Sequence, residues 1–203
     1  MLLPLPYLIN KYNIIFNGII HIGAHECEEL RDYERYINRY KVLWIEGQSD
    51  KVEVCKNKYP GILIENAVVS DKVENVTFNI SNNGQSSSIL ELGLHATYHP
   101  EVYYTNSYQV QTQTLNDMLK KYDNIPFNFI NLDIQGAELK VLKGMDKYLD
   151  NIKYIYTEIN SDYVYKDCNL VEEIDDYLLK YNFKRVETYW TEFKWGDALY
   201  IKL

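Results

Sequence analysis

Two acids in this 203-residue chain stand where short apolar runs end. Glu46 closes KVLWIE, from Lys41, and Asp133 closes FNFINLD, from Phe127. Apolar runs of this length, bounded by turn residues, read as buried strands. In a parallel sheet, ligands gather beyond the carboxyl ends of the strands. A carboxylate placed there can accept hydrogen bonds from a pair of hydroxyls or take a proton from a reacting one. A third run, GIIHIG from Gly18 to Gly23, ends in the turn Gly23-Ala24-His25-Glu26-Cys27. Glu46 follows Gly23 by 46 − 23 = 23 positions, near the spacing at which an acid reaches the ribose of a nucleotide held by such a turn.

The turn keeps one glycine and lacks GxGxxG, so it is a poor cradle for a pyrophosphate, and a nicotinamide-dependent oxidoreductase is disfavoured. S-adenosylmethionine (SAM) has no pyrophosphate. It needs backbone N–H groups for its carboxylate and an acid for its ribose. The expected cofactor positions are therefore Gly23, His25 and Glu26 in the first loop, and Glu46, Gly47 and Gln48 after the second run. Asn66, Ala67 and Val68 follow the third run and should flank the adenine. The demethylated product, S-adenosylhomocysteine (SAH), would occupy the same place. His21, inside the first strand, reads as a hydrogen-bonded core histidine, and Cys27 as a small packed residue.

These positions need a sheet to hold them. Glu28 to Tyr40 carries Leu30, Tyr33, Ile37 and Tyr40 at helical spacing. Asp50 can cap the next helix, which stops at Pro60. Ile62 to Val69 contains a third strand. The alternation of strand and helix calls for a parallel sheet covered on both faces. Val76 to Ser81 alternates and reads as an added edge strand. Asn82 to Tyr108 shows no clear period and reads as a loop, with regularity returning at Val110. Thr114 to Leu119 reads as a short capped helix, Ala137 to Leu149 as a longer one, Tyr154 to Ile159 as the fifth strand, and Leu170 to Tyr181 as the last helix. Two final strands, Phe183 to Thr191 and Ala198 to Leu203, are expected to form an antiparallel hairpin around Trp195, Gly196 and Asp197. The expected architecture is α/β: a Rossmann-like class I SAM-methyltransferase fold, with a mostly parallel seven-stranded sheet and helices on both faces. It would be one domain over 1–203, with 82–109 as a substrate-side lid.

Composition sets limits. Apolar residues make up 46% and charged residues 25%, ordinary for a globular protein. The net charge of −8 argues against nucleic acid as a partner. No stretch approaches the roughly 18 apolar residues of a membrane helix, so no membrane partner is expected. The leading MLLPLPYLINKYN reads as a packed arm rather than a signal peptide. Three cysteines without CxxC spacing argue against a disulfide framework or zinc site and for a reducing, cytoplasmic setting. Nothing here fixes an oligomeric state.

The segments HIGAHE near 21, WIEGQ at 44, NAVVSD at 66, TLNDML at 114, NLDIQGAELKVLKGM at 131 and YTEIN at 156 resemble the FkbM family of SAM-dependent methyltransferases. Asp133-Ile134-Gln135-Gly136-Ala137-Glu138, followed by Val141-Leu142-Lys143-Gly144, is similar to the family's D-x-E-G-x-E…L-x-G pattern. His21 stands where the family usually has an acid, Cys27 where it has glycine, and Gln135 where it has Glu. The resemblance implies O-methylation of hydroxyls on sugars or natural products, with a small-molecule or glycan acceptor. An N-methyltransferase on an amino sugar and a non-catalytic SAM-fold module are the alternatives.

Methyl transfer is an in-line displacement, so positioning supplies much of the rate, and a weakly nucleophilic hydroxyl benefits from a base. Asp133, His99 and Glu158 are the catalytic candidates. Capping the next helix is the structural alternative for Asp133, and Glu138 reads as support for the loop backbone. Ser87, after Gly84, can bind the methionine end of the cofactor. Ser88, His95, His99, Asn160 and Asp197 are the expected acceptor contacts, with solvated strand ends as the plain alternative. A metal held by His95, His99 and Asp133 is a weak reading, and no metal is expected.

Overall fold

The computed structural model describes residues 1–203, apart from the side chain of Asp146. The main sheet is built from β1 (Ile19–Ile22), β2 (Val42–Glu46), β3 (Leu63–Asn66), β6 (Phe129–Leu132), β7 (Tyr154–Asn160), β8 (Phe183–Trp190) and β9 (Trp195–Lys202), and β4 (Asn75–Ser81) and β5 (Tyr104–Gln111) form a separate ribbon. The helices are α1 (Leu5–Tyr12), α2 (Leu30–Tyr33), α3 (Ser49–Lys58), α4 (His95–Tyr98), α5 (Leu115–Met118), α6 (Glu138–Lys143) and α7 (Val171–Leu179).

The seven strands lie in the order β3-β2-β1-β6-β7-β9-β8. Six run in one direction, and β9 runs antiparallel between β7 and β8. The order reverses between β1 and β6, which opens a crevice at their carboxyl ends. Every residue of β1, β2 and β6 is buried, as strands covered on both faces must be. One face carries Ile20, Ile22, Leu43, Ile130 and Ile155 against α5, α6 and α7. The other carries Ile19, Val42, Trp44, Phe129 and Tyr156 against α1 and α2. Leu5 and Leu8 of α1 are buried there, so the leading segment packs as an arm.

Several elements differ from the sequence expectation. The helix expected over 28–40 shrinks to Leu30–Tyr33, and Asn38 starts a separate 3₁₀ turn by accepting a hydrogen bond from Tyr40 N at 3.0 Å. Asp50 lies in the first turn of α3 and does not cap it. The helix expected over 137–149 stops at Gly144, where an added Cβ would lie 2.2 Å from the Ser70 carbonyl oxygen. A 3₁₀ turn then carries Leu149 into the core. Val76 to Ser81 does not edge the main sheet. It pairs with β5, whose start at Tyr104 falls inside the segment read as a loop. That strand is mostly exposed, so its cross-strand hydrogen bonds leave no hydrophobic period. Trp195, Gly196 and Asp197 lie in β9, and the hairpin turn is residues 191–194. Thr114 does cap its helix, accepting from Asp117 N at 3.2 Å.

Candidate functional site

β1 runs straight into Gly23, whose φ of +86° suits glycine. A Cβ there would sit 1.8 Å from the Asp133 carbonyl oxygen. The ends of β1 and β6 therefore touch backbone to backbone. The N–H groups of Gly23 and Ala24 both donate to Ile45 O, at 3.0 and 3.1 Å. His25 and Cys27 are also left-handed, at φ 42° and 56°. Cys27 thus holds a conformation that glycine adopts freely, and it is fully buried beside Cys55.

This turn wraps Glu46. One Glu46 oxygen accepts from His25 N at 2.7 Å, and the other from Gln48 N at 2.8 Å. The side chain is 5% exposed. Burial raises its pKa, while the two backbone N–H groups oppose that rise. The Gln48 side-chain amide also approaches Oε1, at 3.5 Å, so Oε2 keeps a second acceptor site that can receive a hydroxyl. Asn66 braces the same corner from outside, donating to the carbonyls of Glu46 and Gly47 at 2.9 and 3.0 Å.

Across the crevice, Glu138 stitches the loop after β6. Its Oε1 accepts from Ile134 N and Gly136 N, both at 3.1 Å. That is the supporting role its position suggested, and burial lifts its pKa to about 7. Asp133 does not cap α6, whose first flanking residue is Ala137. Its carboxylate opens into the cavity instead. Gln135, left-handed at φ 59°, donates from Nε2 to Asp133 Oδ1 at 2.7 Å and to Glu158 Oε2 at 3.0 Å. Tyr165 donates to the Gln135 side-chain Oε1 at 2.6 Å. One amide thus holds two carboxylates together. Asp133 stays open to the cavity, yet the protein around it strips part of its water, and with the nearby Asp197 this pushes its pKa up to about 6. Burial and Asp133 raise that of Glu158 as well.

These groups line one cavity of about 460 Å³, a size suited to a small-molecule site. It collects Gly23, His25, Glu46, Gly47, Gln48, Ala67, Val68, Ser87, Ser88, His95, His99, Asp133 and Glu158. Four expected residues stay outside it. Glu26 pairs with Lys51 at 2.8 Å, and Asn66 acts from behind as above. Asn160 is 1% exposed, and neither of its amide atoms has a hydrogen-bond partner. Asp197 is buried and accepts from Leu2 N at 2.6 Å and from the Tyr156 hydroxyl. Sequence reasoning missed Phe78, Gln135, Tyr165 and Trp195, all of which line the cavity. Phe78 belongs to the β4–β5 ribbon, which reaches over the crevice through Tyr108, whose hydroxyl donates to Gly47 O at 3.0 Å. The Gln135 signal was present, as a departure inside a recognised motif.

The serines of the long segment are bound locally. Ser87 donates to Gly84 O and Ser88 to Gln135 O, each at 2.8 Å. Two buried ring nitrogens, His25 Nε2 and His95 Nδ1, have no partner. Among the described residues, no three His, Cys, Asp or Glu side chains are arranged to hold a metal.

Comparison with known proteins agrees with this geometry. A family model described as the methyltransferase FkbM domain matches residues 21–185. The chain is 23% identical over 159 residues to the 2-O-methyltransferase NoeI of Sinorhizobium fredii, an alignment covering 73% of this chain and 65% of that protein. Less than two thirds of that relative's length is therefore spanned. Among solved structures, the ribosomal protein L11 methylase of Lactobacillus delbrueckii superposes with a TM-score of 0.52 at 10% identity, covering 94% of this chain and 72% of the other. TrmK of M. capricolum, solved with SAH, gives 0.52 at 8% identity, covering 100% and 69%. At such identities the likeness is one of fold, the class I SAM-dependent methyltransferase fold.

Proposed function

Because the chain belongs to the FkbM methyltransferase family, we propose that it transfers a methyl group from SAM to a hydroxyl of a sugar or glycan. The observation that carries this reading is the pairing of Glu46 and Asp133 across one cavity. The first is held by backbone N–H groups with an acceptor site to spare on Oε2. The second opens into the cavity beside a second carboxylate.

The residues fit the cofactor. Glu46 takes a ribose hydroxyl. Gly47, Ala67, Val68 and Phe78 make an apolar wall for the adenine. His25 Nε2, buried and unpartnered, and the Ser87 turn face the methionine end. When bound, SAM supplies an electrophilic methyl group. Asp133 and Glu158 then orient the acceptor hydroxyl, and Asp133 accepts its proton. A carboxylate with its pKa raised to about 6 is a stronger base than an ordinary one yet remains ionised at pH 7. His99 lines the cavity with its Nδ1 3.5 Å from Glu101, and we assign it to the acceptor side. The acceptor is a small molecule or glycan rather than nucleic acid, in keeping with the net charge of −8. No described helix is long and apolar enough to cross a membrane, and a cytoplasmic setting is part of the proposal.

Calorimetric titration with SAM and SAH tests the cofactor half of this reading. Micromolar binding of both is expected. Binding of neither refutes it.

A further inference from the structure

The charge of the cavity wall carries a statement about the acceptor. Six carboxylates line it: Glu28, Glu29, Glu46, Glu101, Asp133 and Glu158. All four histidines of the chain line it too, and no lysine or arginine does. Lys51, which borders the Gly84 turn, is held away by Glu26 at 2.8 Å. Sites for phosphate or carboxylate are built from Arg, Lys or clustered backbone N–H groups. No lysine or arginine supplies such a cation here, and the Met1 ammonium that lines the cavity is already paired with Glu29 at 3.4 Å. His21 and His95 add no further cation. Burial lowers the pKa of His95, and that of His21 to about 4, so both stay neutral at pH 7 and serve as hydrogen-bonding groups.

The same wall is aromatic. The His95 ring lies 5.1 Å from His99 and 5.4 Å from Tyr165, and His99 meets Phe193 edge-on at 4.7 Å. Half-buried Trp195 lines the cavity beside them. Rings like these take the C–H face of a sugar, while polar tips take its hydroxyls. His95 is 7% exposed, and its Nδ1 has no partner within the protein. A buried polar atom left unpaired is costly, and a bound hydroxyl would satisfy it.

We propose that the wall formed by His95, His99, Tyr165 and Trp195 takes an uncharged sugar ring, and that the surrounding carboxylates turn away acceptors bearing phosphate or carboxylate. This rests on the methyl-transfer reading above and narrows its substrate class. Glu101 stands at the rim, its side chain 70% exposed, where an anionic substituent would meet it first.

The test uses the full chain saturated with SAH. A panel of methyl glycosides and the matching sugar phosphates is titrated by calorimetry and ligand-observed NMR. At least one neutral glycoside should bind at least about tenfold more tightly than its phosphate, since like-charge juxtaposition costs that much or more. Glu101→Lys should narrow the gap. Trp195→Ala should weaken glycoside binding about tenfold without moving SAH affinity, a split that general unfolding does not produce. Equal or tighter binding of the phosphates overturns the proposal, and so does failure of every glycoside to bind. Glycoside binding without methyl transfer overturns the methyl-transfer reading alone. Transfer confined to phosphorylated acceptors overturns this one alone.

Discussion

Replacing Glu46 with Gln removes one oxygen and one charge from a site that uses both. In the folded protein, its two oxygens accept from His25 N and Gln48 N at 2.7 and 2.8 Å. A glutamine can accept from only one of them. Its NH₂ group then faces the other backbone N–H, donor against donor, at a position 5% exposed. Leaving a buried donor unsatisfied costs about 1–3 kcal/mol. The ribose loses one charge-assisted hydrogen bond as well, worth about 1.5–3 kcal/mol. Part of the first cost falls on the protein without ligand, so about 3 kcal/mol should appear as lost cofactor affinity. That is roughly a hundredfold weaker binding. Calorimetric titration of SAH into the folded variant reads it directly. A dissociation constant within threefold of the parent protein would refute the placement of Glu46 against the ribose. Acidification should act in the same direction. The Glu46 pKa is raised by burial, so affinity should fall as the pH drops through it and the carboxylate is protonated.

Asp133→Asn should cut methyl transfer by about 10²–10⁴ and flatten a pH–rate profile that, in the parent protein, rises through about pH 6. The same variant should be more heat-stable at pH 8. A carboxylate whose folded pKa is raised contributes stability that is present below its unfolded pKa of about 3.9 and lost as the pH rises through about 6. Melting curves at pH 8 and pH 4 should therefore differ for the parent but converge with the variant at pH 4. Gly23→Ala would put a Cβ 1.8 Å from Asp133 O at φ +86°. Both SAH binding and about 2 kcal/mol or more of stability should be lost, as titration and denaturant unfolding will show. Gly144→Ala, with its Cβ 2.2 Å from Ser70 O, should cost about 1–3 kcal/mol of folding stability but leave SAH affinity unchanged, because Gly144 does not line the cavity.

The central strands are legible in the sequence because they are buried on both faces. GIIHIG, KVLWIE and FNFINLD have no polar alternation to confuse them, and the residues that end them, Gly23, Glu46 and Asp133, fall at the crevice. What escaped reading is held by hydrogen bonds instead of apolar burial. β5 (Tyr104–Gln111) is mostly exposed and polar, and the alternation of β4 does not say that it pairs with β5 rather than with the main sheet. Phe78 went unnoticed because its route to the cavity is that ribbon. Trp195 to Asp197 looked like a turn because Gly196 is a turn-forming residue. In β9 that glycine is needed for another reason: a Cβ would lie 2.0 Å from the Tyr189 carbonyl oxygen. Asn160 and Asp197 sit on strands that border the site, and strand position alone cannot separate a residue lining the cavity from one packed behind it. The Gln135 bridge is a tertiary feature, because nothing in the spacing of Asp133, Gln135 and Glu158 shows one amide meeting both acids.

Incubating the purified chain with SAM carrying a labelled methyl group, together with a panel of neutral methyl glycosides, and locating the label by NMR tests methyl transfer to a sugar hydroxyl most directly. Label should appear as a methyl ether on one ring position of at least one glycoside, and the transfer should collapse in Asp133→Asn. Label found on nitrogen alone, or on no acceptor while SAH binds normally, would contradict it.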